Sequence, residues 1–153
     1  MNIIGIDPNT NFIAYAVMSN DMKILDKGKH ELDDLNEFLD GKIDEFDVEA
    51  IAVEDYVFYG KVLNHYHMDT IKLIGRIQEY CIIKGMKFMA FGKPEINKAI
   101  SRNKSSNKAS MQKFVKWYLV LKEPIKPQHV NDAVCVAIVG MNKWKQEELK
   151  QIK

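Results

Sequence analysis

Four side chains of types that assemble a divalent-cation site stand where structural elements should begin or end. The apolar run Ile3-Ile4-Gly5-Ile6 drives into Asp7-Pro8, and Ala50-Ile51-Ala52-Val53 ends at Glu54. Farther on, His129 and Asp132 lie three residues apart in PQHVNDAV, which puts both on one side of a helix. If the two apolar runs are adjacent parallel strands, Asp7 and Glu54 leave the sheet at the same end. Ligands of open α/β sheets collect there. Two carboxylates held together raise one of their pKa values unless a cation sits between them. Hard oxygen donors favour Mg²⁺ or Mn²⁺, and Mn²⁺ readily accepts an imidazole. Two such ions roughly 3.5–4 Å apart activate a water, bind a scissile phosphate and stabilise the leaving oxygen, which suits phosphodiester hydrolysis. Each acid alone has a plain structural reading as well. Asp7-Pro8 can start a turn, Glu54-Asp55 can close a strand, and Asp132 can cap a helix. Their joint occurrence is what points to a site.

The elements that must hold these groups follow from periodicity and turn chemistry. Residues 2–7 and 12–18 read as strands around a PNTN turn, and 22–27 as a third strand after Asn20-Asp21. Hairpin-length connections make these three antiparallel. The segment HELDDLNEFLDG places Leu32, Leu35, Phe38 and Leu39 on one helical face that stops at Gly41. Strand four is 50–53. A long helix over 64–84 follows, with Ile71, Ile74, Ile77, Cys81 and Ile82 inward and Gly85 as its stop. Strand five is 86–91, and Pro94 opens a short helix through Ile100. After the polar SRNKSSNKAS loop, Ser110 caps a helix. A final helix over 130–145 carries Ala133, Val134, Ala137, Ile138 and Met141 on its apolar side. The expected fold is α/β: a mixed five-stranded sheet, three antiparallel strands then two parallel ones, flanked by helices. At 153 residues a single domain, 1–153, accounts for the chain.

Composition excludes some classes and favours others. No apolar stretch approaches the roughly 18 residues of a membrane span, and no basic n-region or cleavage site precedes the first strand. Cys81 and Cys135 stand alone in apolar segments and read as buried free thiols of a reducing cytoplasm. The net charge of +1 hides a segregation. Residues 21–55 hold 13 acids against 4 bases, and residues 93–122 hold 8 bases against one acid, Glu95. The second block attracts a polyanion and the first repels it.

The residues also carry a family resemblance. GIDPNTNFIAYAV, AIAVEDYVFYG, KLIGRIQEY and HVNDAVCVAI, in this order over about residues 2–140, resemble the RuvC Holliday junction resolvases of the RNase H-like superfamily. The family's aspartate–proline pair falls on Asp7 and Pro8 and its strand-closing glutamate on Glu54. Its two metal-site residues before an alanine fall on His129 and Asp132. The resemblance implies a homodimer, with two Mg²⁺ or Mn²⁺ ions per active site. Such an enzyme nicks opposing strands of a four-way DNA junction to leave 5′-phosphates and 3′-hydroxyls. It also implies a cytoplasmic location in a bacterial cell or phage-infected host, and the Ile/Lys/Asn-rich composition suits a phage-encoded or low-GC member. No residue pattern marks a protein partner such as a branch-migration motor. The chain departs from the family at Asn9-Thr10, where Gly-Ser or Gly-Thr is usual, and at Ile13-Ala14-Tyr15-Ala16, where Thr-Gly-Tyr-Gly is usual. Asn tolerates a left-handed turn there.

The DNA contacts expected from the sequence are the aromatics Tyr56 and Phe58, placed to stack on unpaired bases, and the cations Lys98, Arg102, Lys104, Lys108, Lys113 and Lys116. By the resemblance, Lys108 is the lysine that approaches the scissile phosphate. Trp117, Tyr118, Leu119 and Leu121 read as core or dimer contact. His65 and His67, two apart with no cysteine cluster, do not make a zinc pattern. Alternative readings are a nuclease of the same fold acting on forks, flaps or RNA–DNA hybrids, and a non-catalytic junction-binding protein. Actin-like and sugar-kinase relatives are a further alternative, but they need Gly-rich phosphate loops, and 8 glycines scattered singly do not supply them.

Overall fold

In the computed structural model, which describes residues 1–56, 60 and 64–152, five strands form one sheet in the order β3-β2-β1-β4-β5. They are β1 (Asn2–Pro8), β2 (Phe12–Ser19), β3 (Ile24–Glu31), β4 (Val48–Asp55) and β5 (Lys87–Gly92). β1 pairs antiparallel with β2 and β2 with β3, whereas β4 runs parallel to β1 and β5 parallel to β4. This is the mixed sheet expected from the sequence. Short turns permit only antiparallel return, while the helices α1 (Leu35–Phe46) and α2 (His65–Lys84) supply the crossovers that parallel strands require.

The remaining helices are α3 (Lys93–Ser101), α4 (Lys108–Tyr118) and α5 (Gln128–Gln151). Side chains alternate across the strands, so the sheet has two covered faces. Ile4, Ile6, Ile13, Val17, Ile51 and Val53 pack with α1 and α2. Ile3, Ala14, Ala16, Ala50, Ala52 and Met89 pack with α3, α4 and α5. The charge blocks of the sequence thereby separate in space, with acidic α1 on one face and basic α3 and α4 on the other.

α5 is the centre of the second face, buried from Val130 through Met141. Its small residues let it approach closely. A Cβ added at Gly5 would collide with backbone atoms of Ala133 and Ala137, and one at Gly140 would come within 2.7 Å of Ile3 and 2.8 Å of Ala52. Ala14 and Ala16 are small enough to sit wholly buried in this layer.

Several boundaries differ from the sequence expectation, each for a tertiary reason. β3 lies later than expected because its pairing with β2 continues to His30 and Glu31, opposite Ile13 and Phe12. α1 runs past Gly41 because Ile43 and Phe46 extend its apolar face, and Asp47 ends it in the left-handed conformation. α2 turns Leu73, Ile74, Ile77, Tyr80 and Cys81 inward, leaving Ile71 and Ile82 exposed. α4 is capped by Asn107, whose side chain accepts the Ser110 N–H, and not by Ser110 itself. α5 continues to Gln151, with Trp144 still packed on the core and Lys87 paired to Glu147. Asn9 is not left-handed: among the described residues, the non-glycine positions with positive φ are Met22, Asp47, Arg102 and Val120. Its turn is closed by the Asn9 N–H donating to the Phe12 carbonyl at 3.0 Å.

Candidate active site

Strand alternation decides which way the acids face. Ile3 and Gly5 meet α5, so Asp7, two residues on, points toward the same helix; Ala50 and Ala52 fix Glu54 in the same way. Ile6 stands opposite Val53 in the parallel ladder, so Asp7 and Glu54 follow on neighbouring strands. The first turn of α5 brings His129 and Asp132 over these strand ends. His129 Nδ1 lies 2.8 Å from Asp7 Oδ2, and the ring meets Phe12 edge-on with centroids 5.4 Å apart. One ligand atom each from Asp7, His129 and Asp132 lies within 4.8 Å of the others. Two carboxylates and an imidazole at that spacing fit a divalent cation. Asp7 and Asp132 are buried, whereas Glu54 and His129 stay partly open to solvent.

Two neighbours of this cluster escaped the sequence reading. Lys93, the first residue of α3, places Nζ 3.2 Å from Glu54 Oε2 and 3.1 Å from Asp132 Oδ1. The signal for it was available: β5 is the third parallel strand, and Phe91 and Gly92 pair with Glu54 and Asp55, so Lys93 leaves the sheet beside them. Thr70 lines a cleft of ≈ 160 Å³ together with Asp7, Pro8, Glu54, Asp55 and Tyr56. No local pattern marks Thr70, because its facing depends on where α2 is seated.

The electrostatics follow from burial. Burial pushes the Glu54 carboxyl up to about 7; Lys93 opposes this, and the charges of Asp7 and Asp132 add to it. Asp7 is also raised, chiefly by burial, with the His129 hydrogen bond working the other way. Burial disfavours the Lys93 charge, but Glu54 and Asp132 outweigh it and leave its pKa raised. For a carboxyl whose folded pKa is raised, the stabilising contribution is complete below the unfolded pKa and is lost as pH climbs through the folded value. The cation-free protein should therefore lose thermal stability between about pH 4.5 and 7, where Glu54 has ionised in the unfolded chain but still holds its proton in the fold. Glu54→Gln should flatten that part of the profile, as read by melting temperature against pH in EDTA.

The expected DNA contacts divide into three groups. Phe58 lies outside the described residues. Tyr56 is half-buried at the cleft, its ring 4.9 Å from that of His67. Lys98, Arg102, Lys104, Lys108 and Lys113 are exposed on α3, α4 and the loop between them, and Lys116 is half-buried. That loop is tied down by buried Asn97, which donates to the carbonyls of Lys104 at 3.1 Å and Ser106 at 3.3 Å. His67 serves the helix cap, accepting the Asn64 N–H while the Asn64 side chain accepts its own. Trp117 is 80% exposed, which removes it from the core. Cys81 and Cys135 are buried and unpaired. No helix among the described residues is long and apolar enough to cross a membrane.

The model of the family described as crossover junction endodeoxyribonuclease RuvC matches residues 3–140. The chain belongs to the RuvC family. Its similarity to the RuvC of Helicobacter acinonychis is 26% identity, covering 95% of this chain and 99% of that one. The Thermus thermophilus RuvC structure matches with a TM-score of 0.73 at 22% identity, over 90% of this chain and 91% of that chain. Thermus thermophilus RuvC in complex with a Holliday junction substrate matches with a TM-score of 0.72 at 21% identity, over 90% of each chain. These two structures share the RuvC fold with this chain, which is the RNase H-like mixed sheet.

Proposed function

We propose that this chain, acting as one domain over residues 1–153, is a homodimeric, metal-dependent endonuclease that resolves four-way DNA junctions. The observation that carries the reading is that two parallel strand ends and one helix start bring Asp7, His129 and Asp132 within 4.8 Å of one another beside a cleft lined by Asp7 and Glu54. Clustered acids repel DNA phosphates, so binding alone gains nothing from them; a cation gives them a use. Asp7, His129 and Asp132 would hold one Mg²⁺ or Mn²⁺, and Glu54 with Asp7 would offer oxygens to a second. When bound, such ions supply a water nucleophile near neutral pH and neutralise charge on the phosphate and leaving oxygen.

The chain's own groups do the positioning. Phe12 and Asp7 fix the plane of the His129 ring. Lys98, Arg102, Lys104, Lys108, Lys113 and Lys116 bind backbone phosphates, with Lys108 at the start of α4 nearest the scissile one, while Tyr56 and Phe58 stack on bases at the crossover. On α2, Met68, Ile71 and Ile82 form an exposed apolar stripe, and Gly75 between them has nothing near an added Cβ. A second copy packed along this stripe gives two symmetric sites for a two-fold junction.

The test offers the purified protein a four-way junction, a fork and a linear duplex, each with Mg²⁺, Mn²⁺ or EDTA. Paired nicks on the junction, ligatable and absent in EDTA, are the expected result. Equal cutting of all three substrates would assign a broader branched-DNA nuclease instead. Junction binding without cleavage in either metal would leave a non-catalytic binder.

A further inference from the structure

Lys93 stands where a cation is wanted. Its ammonium lies 3.2 Å from Glu54 and 3.1 Å from Asp132, bridging a strand-end acid and a helix acid. The cluster of ligand atoms that can already share one ion comprises Asp7, His129 and Asp132, and leaves Glu54 out. Lys93 therefore neutralises Glu54 and one oxygen of Asp132, while Asp7, among the described residues, is paired to His129 and to no lysine or arginine. We propose that Lys93 is the resident counter-ion of the Glu54 side, so that a first divalent ion binds at Asp7, His129 and Asp132 and a second enters only by displacing the Lys93 ammonium. This rests on the metal-site reading above.

Displacement is sterically simple. The Lys93 side chain is one-third exposed and hangs from the first residue of α3, so its four-carbon stem can swing outward without disturbing the strand. The displaced charge is then free to pair with a DNA phosphate brought to the site. A lysine held in this way keeps Glu54 and Asp132 from standing unpaired before the ions arrive, which is costly in a partly buried site.

Calorimetric titration of the intact protein with Mn²⁺ tests this, using Lys93→Met, Lys93→Gln and the charge-keeping Lys93→Arg. The wild type should bind one ion per chain and a second more weakly. Removing the ammonium that lies 3.2 Å from Glu54 should tighten the second site by about tenfold or more in Lys93→Met and Lys93→Gln. Lys93→Arg should keep the wild-type profile. Electron paramagnetic resonance of the bound Mn²⁺ gives a second readout, since paired ions should appear at lower metal in the neutral variants. Far-UV circular dichroism checks that each variant is folded; both neutral variants keep a side chain that can pack, so one suffices. Identical isotherms for wild type and neutral variants would overturn the role of Lys93 while leaving the metal site intact. No Mn²⁺ binding by any form would overturn the metal-site reading, and this inference with it.

Discussion

Asp7→Asn should lower the rate of metal-dependent junction nicking by about 10³-fold or more while leaving the protein folded. A metal-held transition state is stabilised by several kcal/mol, and each 1.36 kcal/mol is tenfold in rate, so loss of about 4 kcal/mol gives that factor. Asp7 is the acid that belongs to both halves of the site. It lies beside Glu54 in the parallel sheet and 2.8 Å from His129. Asn is nearly the same shape, and its amide can hydrogen-bond the His129 Nδ1 in either tautomer, so the packing of β1 against α5 is kept. The stability outcome has a definite sign. Burial raises the Asp7 pKa, so its ionised form at neutral pH costs the cation-free fold stability. Asp7→Asn should therefore melt no lower than wild type in EDTA near pH 7, yet lose the stabilisation that Mn²⁺ gives the wild type. Nicking at the wild-type rate would remove Asp7 from the catalytic machinery. A collapse of melting temperature in EDTA would make its role structural.

The sheet and the four candidate ligands were legible because the information that places them is local. Hydrophobic runs locate β1 and β4, the turn lengths set their direction, and alternation fixes the face on which Asp7 and Glu54 emerge. The three-residue spacing of His129 and Asp132 needs only a helix to make sense, and α5 provides it. What the sequence hid depends on distant packing. The inward face of α2 was misjudged at Ile71 and Ile82, since a helix with apolar residues on more than one side does not announce which side meets the sheet. In the sequence Lys93 is one charge in a basic block. Its meaning required knowing that β5 lies next to β4, so that its end opens onto Glu54. The capping role of Asn107 is concealed by Ser110, a nearby candidate of equal propensity, and no local pattern marks His67 as part of the α2 cap. Composition makes the charge segregation visible, but only the crossovers place acidic α1 and basic α3 and α4 on opposite faces of the sheet.

Gly5 and Gly41 should respond in opposite directions to the same change. A methyl at Gly5 meets the Ala133 carbonyl oxygen and the Ala137 nitrogen, backbone atoms that cannot rotate away. To admit it, α5 must lift from the sheet or β1 must bend. Overpacking of this kind costs about 1–3 kcal/mol or more, and in a chain of this size each 1 kcal/mol lowers the melting temperature by about 2–4 °C. Gly5→Ala should thus melt up to about 10 °C lower. At Gly41, within α1, nothing lies within 4 Å of an added Cβ. Gly41→Ala should raise stability by about 0.4–1 kcal/mol through helix propensity and a less flexible unfolded chain. The Gly5 variant carries a second consequence, because α5 brings His129 and Asp132 to Asp7. A displacement near 1 Å can cost about 10²-fold in rate, so nicking by Gly5→Ala should fall well below wild type even at temperatures where it is fully folded. Gly41→Ala should leave nicking unchanged. If Gly5→Ala retained both stability and rate, the close seating of α5 would not be what assembles the site. The position of His129 and Asp132 would then have to be set by the start of the helix alone.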